Sequence, residues 1–260
     1  MPNSPTIGIL AGMGPYSTAP FVNMVIDECH RQYAPVHEEE FPHMLIYSLP
    51  TPFRIDEAST DHHAVSDMIC AGLQRLEAAG VDFIAMPCNT AHIYYADLVQ
   101  CIAVPLLNMI DIAAEKAIRA LENQSHITAE NAENAEGEKD KNEKKIGGNT
   151  KKLTIIGTVF TLNAGLYQAR LAATSAEIVQ EWTRETDELI FAIHANAPDR
   201  VDRWRALTEQ IAAAGVDTAI IACTDLNVVS DQVETPFARI DATHALAEAT
   251  VTRWLALNTP

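Results

Sequence analysis

One stretch of this sequence occurs twice, and the repetition constrains the fold more than any other feature. The first copy begins with Ala-Gly-Val-Asp at 79–82 and reaches Cys88, and the second begins with the same four residues at 214–217 and reaches Cys223. Each cysteine follows its glycine by eight residues, and the two copies are 135 positions apart. We therefore expect two related halves, each of which presents a cysteine at the same place in the fold.

Each copy has the pattern of a helix, a glycine and a buried strand. Gly80 and Gly215 suit the left-handed position that closes a helix. The apolar run of about six residues that follows is too short for another helix and is typical of a parallel strand buried on both faces. Ligands of open α/β sheets bind beyond the carboxyl ends of the strands. The pattern therefore predicts that Cys88 and Cys223 lie where a ligand would bind.

Length, composition and charge narrow the classes of protein. The chain has 260 residues, of which 48% are apolar, and this is enough for one large domain or two small ones. Since no apolar run is long enough to span a bilayer and the first residues lack a basic signal region, we expect a cytoplasmic protein. A net charge of −17 disfavours nucleic acid and anionic membranes as partners.

The cysteines and histidines do not form a metal pattern. The five cysteines are an odd number without a CxxC pair, which argues against a disulfide framework or a zinc ribbon. The sequence Asp61-His62-His63 has no partner with ligand spacing, so a helix start capped by Asp61 or Ser59 explains it better. We expect no metal site.

Two segments before and between the repeats carry further predictions. A strand at 6–10 runs into a glycine turn at 11–15, which matches neither the dinucleotide fingerprint nor a P-loop. Its spacing leaves two interpretations open, a ligand cradle or a tight turn. Residues 123–152 lack apolar periodicity, and we predict a flexible, charged, solvated loop without a catalytic role.

Two side chains near the expected strand ends have open roles. His92 follows Cys88 by four residues, where it can lower the pKa of the thiol or simply pack. Arg54 follows a strand predicted at 41–49 and can bind a carboxylate through two parallel hydrogen bonds, although a surface arginine is the alternative.

Four motifs together carry a resemblance to a known family. They read Gly-Ile-Leu-Ala-Gly-Met-Gly-Pro at 8–15, Pro-Cys-Asn-Thr-Ala-His at 87–92, Gly-Thr-Val-Phe-Thr at 157–161 and Ala-Cys-Thr-Asp-Leu at 222–226. The chain, except for its charged insert, resembles the cofactor-independent aspartate/glutamate racemase superfamily, and its aspartate racemase branch in particular. The resemblance implies two pseudo-symmetric, Rossmann-like αβα domains with parallel sheets, an active site in the cleft between them, no cofactor, and a homodimer.

The resemblance also implies a division of the chain and a set of site residues. The first domain would comprise 1–105 with 228–260, and the second 106–227. Cys88 and Cys223 would be the catalytic pair that interconverts L- and D-amino acids. The residues expected to bind the substrate are Met13, Arg54, Asn89, Thr90, Thr161 and Thr224.

The chemistry of racemisation explains why two thiols would be needed. A proton must leave one face of the substrate Cα and another must reach the opposite face, so two acid/base groups are required. Thiols suit this role because helix N-termini and hydrogen bonds tune their pKa.

Departures from the family pattern leave the substrate open between aspartate, glutamate and neutral amino acids. The family usually has glycine where this chain has Ala11 and Ala222, and glutamate where it has Asp225. Two alternatives therefore stay open. The first is a maleate isomerase-like enzyme with one nucleophilic cysteine, and the second is a ligand-binding relative whose cleft the methyl groups of Ala11 and Ala222 crowd.

Overall fold

The computed structural model describes residues 4–53, 60–135 and 150–258, with the backbone alone at 124–135, and within these ranges it has an α/β fold. The strands are β1 (Thr6–Ala11), β2 (His43–Ser48), β3 (Phe83–Ala85), β4 (Lys152–Gly157), β5 (Glu177–Val179), β6 (Thr218–Ala222) and β7 (Ala238–Asp241). The α-helices are α1 (Thr18–Tyr33), α2 (His62–Ala78), α3 (Tyr95–Leu98), α4 (Met109–Ala135), α5 (Val159–Asn163), α6 (Leu166–Leu171), α7 (Thr183–His194), α8 (Arg200–Ala213), α9 (Asn227–Ser230) and α10 (Ala242–Asn258).

The two halves build parallel sheets with the same strand order. The first sheet has the order β2-β1-β3, and the backbone at Leu106 adds a single parallel bridge to Ile84 beyond β3. The second sheet has the order β5-β4-β6-β7. Because β3 and β6 hold the same place in their sheets, the two cysteines follow equivalent strands. The predicted α/β fold with parallel sheets in two halves is confirmed.

The repeated Ala-Gly-Val-Asp segment has the same structural role in both halves. Gly80 has φ of +86° and Gly215 has φ of +74°, the left-handed conformation that a side chain disfavours. Asp82 then accepts a hydrogen bond from Thr6 N at 2.6 Å, and Asp217 accepts one from Lys152 N at 2.8 Å. Each aspartate thus fixes the start of the neighbouring strand, so the repeat sets the register of both sheets.

Strands β1, β3, β4 and β6 are buried on both faces because helices cover each side. Ile7 and Ile9 of β1 face a core that both halves share and to which α1, α4 and α10 contribute. Leu10 faces the opposite way, onto α2, in a core confined to the first half. In the second half α7 and α8 cover the corresponding face of β4 and β6. This alternation explains the continuous apolar runs of the sequence.

Two strand pairings bear on where the halves divide. Strand β7 pairs with β6 in the second sheet, although 228–260 had been expected in the first domain. Leu106 bridges to the first sheet, although the second domain had been expected to begin there. Each half supplies its own fourth sheet position after its cysteine, as the matching Pro-to-Asp stretches at 105–111 and 236–241 indicate. The helix α10 packs on both α1 and α4.

The predicted loop at 123–152 is wrong at both ends. Helix α4 continues through these residues to Ala135, and β4 already begins at Lys152. The segment from 123 to 135 has three alanines and two glutamates, which favour a helix, and three asparagines, which do not, so its helix depends on nucleation by the packed first turns of α4. The remainder of the insert, 136–149, lies outside the described residues.

The expectation of no disulfide is wrong for one pair of cysteines. Cys70 of α2 and Cys101 after α3 form a disulfide with their Cα atoms 5.9 Å apart. The bond joins α2 to the segment that follows the first cysteine motif. The three other cysteines, Cys29, Cys88 and Cys223, are free and buried.

The start of α2 agrees with the sequence interpretation. Asp61 caps the helix by accepting a hydrogen bond from Ala64 N at 3.1 Å. No group of three potential metal ligands occurs in the described part of the chain. Among the same residues, no helix is both long and apolar enough to cross a membrane.

Candidate active site

Both repeated cysteines line one cavity between the two halves. Cys88 follows β3 and Cys223 follows β6, and each is more than nine-tenths buried, with 9% and 8% of its surface exposed. The cavity has a volume of about 210 Å³ and takes its walls from both halves. This is the place that parallel α/β sheets give to ligands, at the carboxyl ends of the strands.

The surroundings of the two thiols keep them protonated. Burial raises the pKa of Cys88 to about 12, an effect that backbone hydrogen bonds from Ala91 and Thr90 oppose. Burial also raises the pKa of Cys223 well above its ordinary value. The negative charge of Asp225 raises the pKa of both thiols further. A thiolate formed here would be a much stronger base than one in water.

A group of hydroxyls joins the two halves on one side of the cavity. Thr90 Oγ1 lies 3.2 Å from both Thr158 Oγ1 and Thr161 Oγ1, which are themselves 3.1 Å apart. Thr158 also caps α5 by accepting a hydrogen bond from Thr161 N. Thr90 and Thr158 line the cavity, where their hydroxyls can rotate to donate to a negatively charged group.

Asn89 precedes Thr90, and only the oxygen of its side-chain amide has a hydrogen-bond partner among the described residues. Its Oδ1 accepts a 2.6 Å hydrogen bond from the hydroxyl of Tyr167, which is fully buried in the second half. Its Nδ2 is buried and has no hydrogen-bond partner among the described residues. Because the tyrosine fixes which side of the amide is the acceptor, Asn89 offers a donor to the cavity.

A carboxylate and an imidazole form a pair on the side of the second thiol. Nε2 of His194 donates to Oδ2 of Asp225 over 2.8 Å, and this hydrogen bond raises the pKa of His194. The ring of Tyr16 stacks on His194 at 6.4 Å between centroids. A Cβ on Gly14 would lie 3.0 Å from both carboxylate oxygens, so the glycine turn permits the close approach of Asp225.

Both ring nitrogens of His92 form hydrogen bonds with backbone atoms, and neither is bonded to the thiol of Cys88. Its Nε2 accepts a 3.1 Å hydrogen bond from Met109 N, so its proton is on Nδ1, which donates to the carbonyl of Cys88 over 2.7 Å. Burial lowers the pKa of His92, which favours the neutral ring. Of the two roles left open by the sequence, the structure favours packing, with His92 tying the cysteine loop to the start of α4.

Apolar side chains form the remaining wall. Phe53 and Phe160 meet edge to face with their ring centroids 4.6 Å apart, and one comes from each half. Tyr94 lies beside them, and its hydroxyl is 2.7 Å from Nδ1 of His62. Aliphatic side chains complete this wall, namely Val65, Ile69 and Ile190.

Most residues expected at the site line the cavity, and among the described ones Thr161 does not. Thr161 is fully buried behind Thr90 and Thr158, and Thr158 takes the position at the cavity. Arg54 lies outside the described residues. The residues found where they were expected are Met13, Cys88, Asn89, Thr90, Cys223 and Thr224.

The other residues of the cavity differ in how far sequence motifs indicated them. Asp225 stood in the second cysteine motif but had no assigned role, and Thr158 stood in the motif at 157–161. His194 is the last residue of α7, and no local pattern connects it to Asp225, which is 31 residues away.

The two alanines that replace glycines do not crowd the cleft. Ala11 and Ala222 are fully buried in the core shared by the two halves and do not line the cavity. Ala222 packs instead against Gly157 in the neighbouring strand, where an added Cβ would lie 3.2 Å from that of Ala222. The feature that motivated a non-catalytic binding protein is therefore absent from the site.

The repeated α/β halves and the enclosed cleft between them define a two-domain α/β enzyme. Residues 10–148 match the sequence pattern of the Asp/Glu/Hydantoin racemase family. The chain belongs to this family and is an isomerase of the racemase type.

Similar proteins agree with this assignment. The chain is 36% identical over 225 residues to the broad specificity amino-acid racemase RacX of Bacillus subtilis (strain 168), covering 84% of this chain and 85% of that protein. The fold resembles that of Picrophilus torridus aspartate racemase, with a TM-score of 0.73 at 22% identity over 96% of this chain and 94% of the other. It also resembles glutamate racemase isoform RacE1 from Bacillus anthracis, with a TM-score of 0.60 at 15% identity over 98% and 83% of the two chains.

Proposed function

We propose that this racemase interconverts L- and D-amino acids through Cys88 and Cys223, without a cofactor. The observation that carries the proposal is the pair of buried thiols that come from equivalent strands of the two halves and line a single cavity. The approximate symmetry of the halves supports an arrangement in which the thiols approach a bound substrate from opposite sides.

The proposed reaction balances with one proton on each side of the substrate. One cysteine, as thiolate, removes the Cα proton and becomes a thiol. The other cysteine, as thiol, gives its proton to the opposite face of Cα and becomes a thiolate. In the reverse reaction the two cysteines exchange roles. Each enantiomer therefore reacts with the form of the enzyme in which a different cysteine is the thiolate. The raised pKa of each thiol suits this role, because a Cα proton is a weak acid and needs a strong base.

The negative charge that develops next to the substrate carboxylate needs hydrogen-bond donors. Asn89 Nδ2 and the hydroxyls of Thr90 and Thr158 are the candidates on the described walls. Preorganised donors in a cavity closed to water stabilise such charge far better than water does. We infer that they bind the α-carboxylate.

The side-chain wall supports a substrate range wider than aspartate and glutamate. Aromatic and aliphatic residues dominate it, and neither arginine nor lysine is among the described residues that line the cavity. Arg54 was expected to bind a substrate carboxylate, and if that carboxylate is the one of an acidic side chain, the range would include aspartate and glutamate. The name of the Bacillus subtilis relative, a broad specificity racemase, agrees with a wide range.

Deuterium exchange tests the proposal directly. Each of the common L-amino acids is incubated with the protein in D2O, and Cα deuteration is followed by NMR and enantiomer content by chiral chromatography. We expect exchange and racemisation together for several neutral and acidic amino acids. Maleate is assayed in parallel, because isomerisation of maleate without exchange of any amino acid would favour the isomerase-like alternative.

We further propose that the protein is a homodimer in the cytoplasm with a small-molecule substrate. Strand β2 is an edge strand of the first sheet as described, and its Leu45 and Ile46 are 38% and 46% exposed. An apolar edge strand favours association. The disulfide between Cys70 and Cys101 is unusual for a reducing compartment, so cell fractionation with thiol labelling is the test of location.

A further inference from the structure

Two residues that line the cavity each have a buried polar atom without a hydrogen-bond partner among the described residues, one a donor and the other an acceptor. Asn89 Nδ2 is an unpaired donor and Asp225 Oδ1 is an unpaired acceptor among the described residues, and both residues line the cavity. Asp225 is only 6% exposed. Leaving such atoms unpaired costs free energy, and a ligand that pairs them recovers it. Resting on the proposed function, we infer that Oδ1 of Asp225 accepts the α-ammonium group of the amino-acid substrate.

The position of Asp225 relative to the thiols fits this role. The substrate Cα must lie between Cys88 and Cys223, and its ammonium group is one bond away. An acceptor for that group must therefore be near both thiols. Asp225 meets this condition, since it lines the same cavity as Cys88 and Cys223 and follows Cys223 by two residues.

Neighbouring residues hold the carboxylate so that one oxygen stays available. His194 occupies Oδ2 through its 2.8 Å hydrogen bond, and Tyr16 stacks on the imidazole. Gly14 lies against the carboxylate without a side chain to displace it. His194 is therefore a positioning residue, and Oδ1 is the oxygen left for a ligand.

This assignment accounts for all three groups attached to Cα. The carboxylate meets the donors of Asn89 and the threonines, the ammonium meets Asp225, and the side chain meets the apolar wall that includes Phe53 and Phe160. The chemical class of ligand is thus a zwitterion with a free α-ammonium group. A 2-hydroxy acid would offer Asp225 a neutral hydroxyl in place of the cation, and should bind less tightly because a charge-assisted hydrogen bond is the stronger one.

Binding of the ammonium has a consequence for the chemistry. In the free protein the charge of Asp225 opposes ionisation of both thiols. A cation placed on Oδ1 offsets that charge at the moment when a thiolate is needed. The substrate thereby helps to ionise the group that attacks it.

Glycine and glycolate provide a matched pair of probes, because they share the carboxylate and differ in an ammonium or a hydroxyl group. Their affinities are measured by isothermal titration calorimetry at neutral pH on wild-type protein, Asp225→Asn and Asp225→Glu. We expect wild-type protein to prefer glycine by about tenfold or more, Asp225→Asn to lose most of that preference, and Asp225→Glu to retain part of it. Circular dichroism checks that each variant is folded.

Equal affinity of the wild-type protein for the two probes would overturn the inference, whether or not the variants fold. A folded Asp225→Asn variant that still prefers glycine would overturn it as well. This holds even if the variant has lost exchange activity, because Asp225 would then influence the thiols without binding the ammonium group. Glycine binding requires no proton transfer. The result is therefore separable from failure of the proposed racemisation, which the deuterium exchange assay reports.

Discussion

The hydroxyl of Tyr167 donates a 2.6 Å hydrogen bond to Oδ1 of Asn89, and the two residues belong to different halves of the protein. The bond orients the amide that follows Cys88 and is buried at both ends. A residue without any contact with the reacting atoms thus fixes a donor in the proposed carboxylate site.

Replacing Tyr167 by phenylalanine tests that relationship. The change removes the hydroxyl and leaves Oδ1 of Asn89 without its partner, which should lower the free energy of unfolding by about 1–3 kcal/mol. The amide is then free to turn over, so we expect a higher KM for the amino acid. Chemical denaturation and steady-state racemisation measure the two effects.

Tyr95→Phe is the matched control for this variant. Tyr95 also donates to a buried partner, the carbonyl of Leu106 at 2.8 Å, but it does not line the cavity. The control should lose stability without a change in KM. Equal shifts of KM in both variants would show that the effect of Tyr167 is not specific to Asn89.

Serine in place of either repeated cysteine should abolish racemisation and preserve the fold. A hydroxyl is far too weak an acid to exchange protons with Cα at neutral pH. Chiral chromatography measures racemisation of Cys88→Ser and Cys223→Ser, with Cys29→Ala as the control, since Cys29 is buried in the shared core away from the cavity. Wild-type racemisation by either serine variant would refute the two-thiol mechanism.

The raised pKa of the thiols predicts the pH dependence of the reaction. Free enzyme needs one thiolate, and burial raises the pKa of Cys88 to about 12, so the thiolate fraction grows about tenfold per pH unit below that value. We expect kcat/KM to rise continuously between about pH 7 and pH 9. A plateau that begins near neutral pH would indicate that a different group supplies the base.

Charge on the exposed edge strand should disrupt the proposed dimer. Ile46→Lys places a cation in the apolar patch of β2, where association would bury it. Size-exclusion chromatography with light scattering should show a dimer for wild-type protein and a monomer for the variant. Lysine at Val36, which is exposed but precedes β2, is the control and should remain dimeric.

The repeat predicted the sheets well because local physics determines them. A glycine that ends a helix and a following apolar run recur at 80 and 215, and the structure has a helix, a turn and a strand at both places. The same symmetry places β7 beside β6 in the second sheet and Leu106 beside β3 in the first. The expected division of the chain did not apply this symmetry to the final strand.

The site was only partly predictable because some of its residues meet through tertiary packing. Cys88 and Asn89 were predicted because they lie in a recognisable motif. His194 contacts Asp225 only through the packing of α7 beside β6. The disulfide between Cys70 and Cys101 likewise depends on where α2 and the end of α3 meet. Spacing along the chain carries no signal for such contacts.

The three hydroxyls of Thr90, Thr158 and Thr161, which join the two halves, determine how the contact between the halves responds to solution conditions. The two contacts made by Thr90 cross from one half to the other, and neither involves an ion. Parting the halves there costs only neutral hydrogen bonds of about 0.5–1.5 kcal/mol each. Ionic strength barely affects such contacts, whereas it weakens salt bridges. These contacts between the halves are therefore insensitive to salt and to acidity, and the pH dependence of the enzyme falls to the titrating groups inside the cavity.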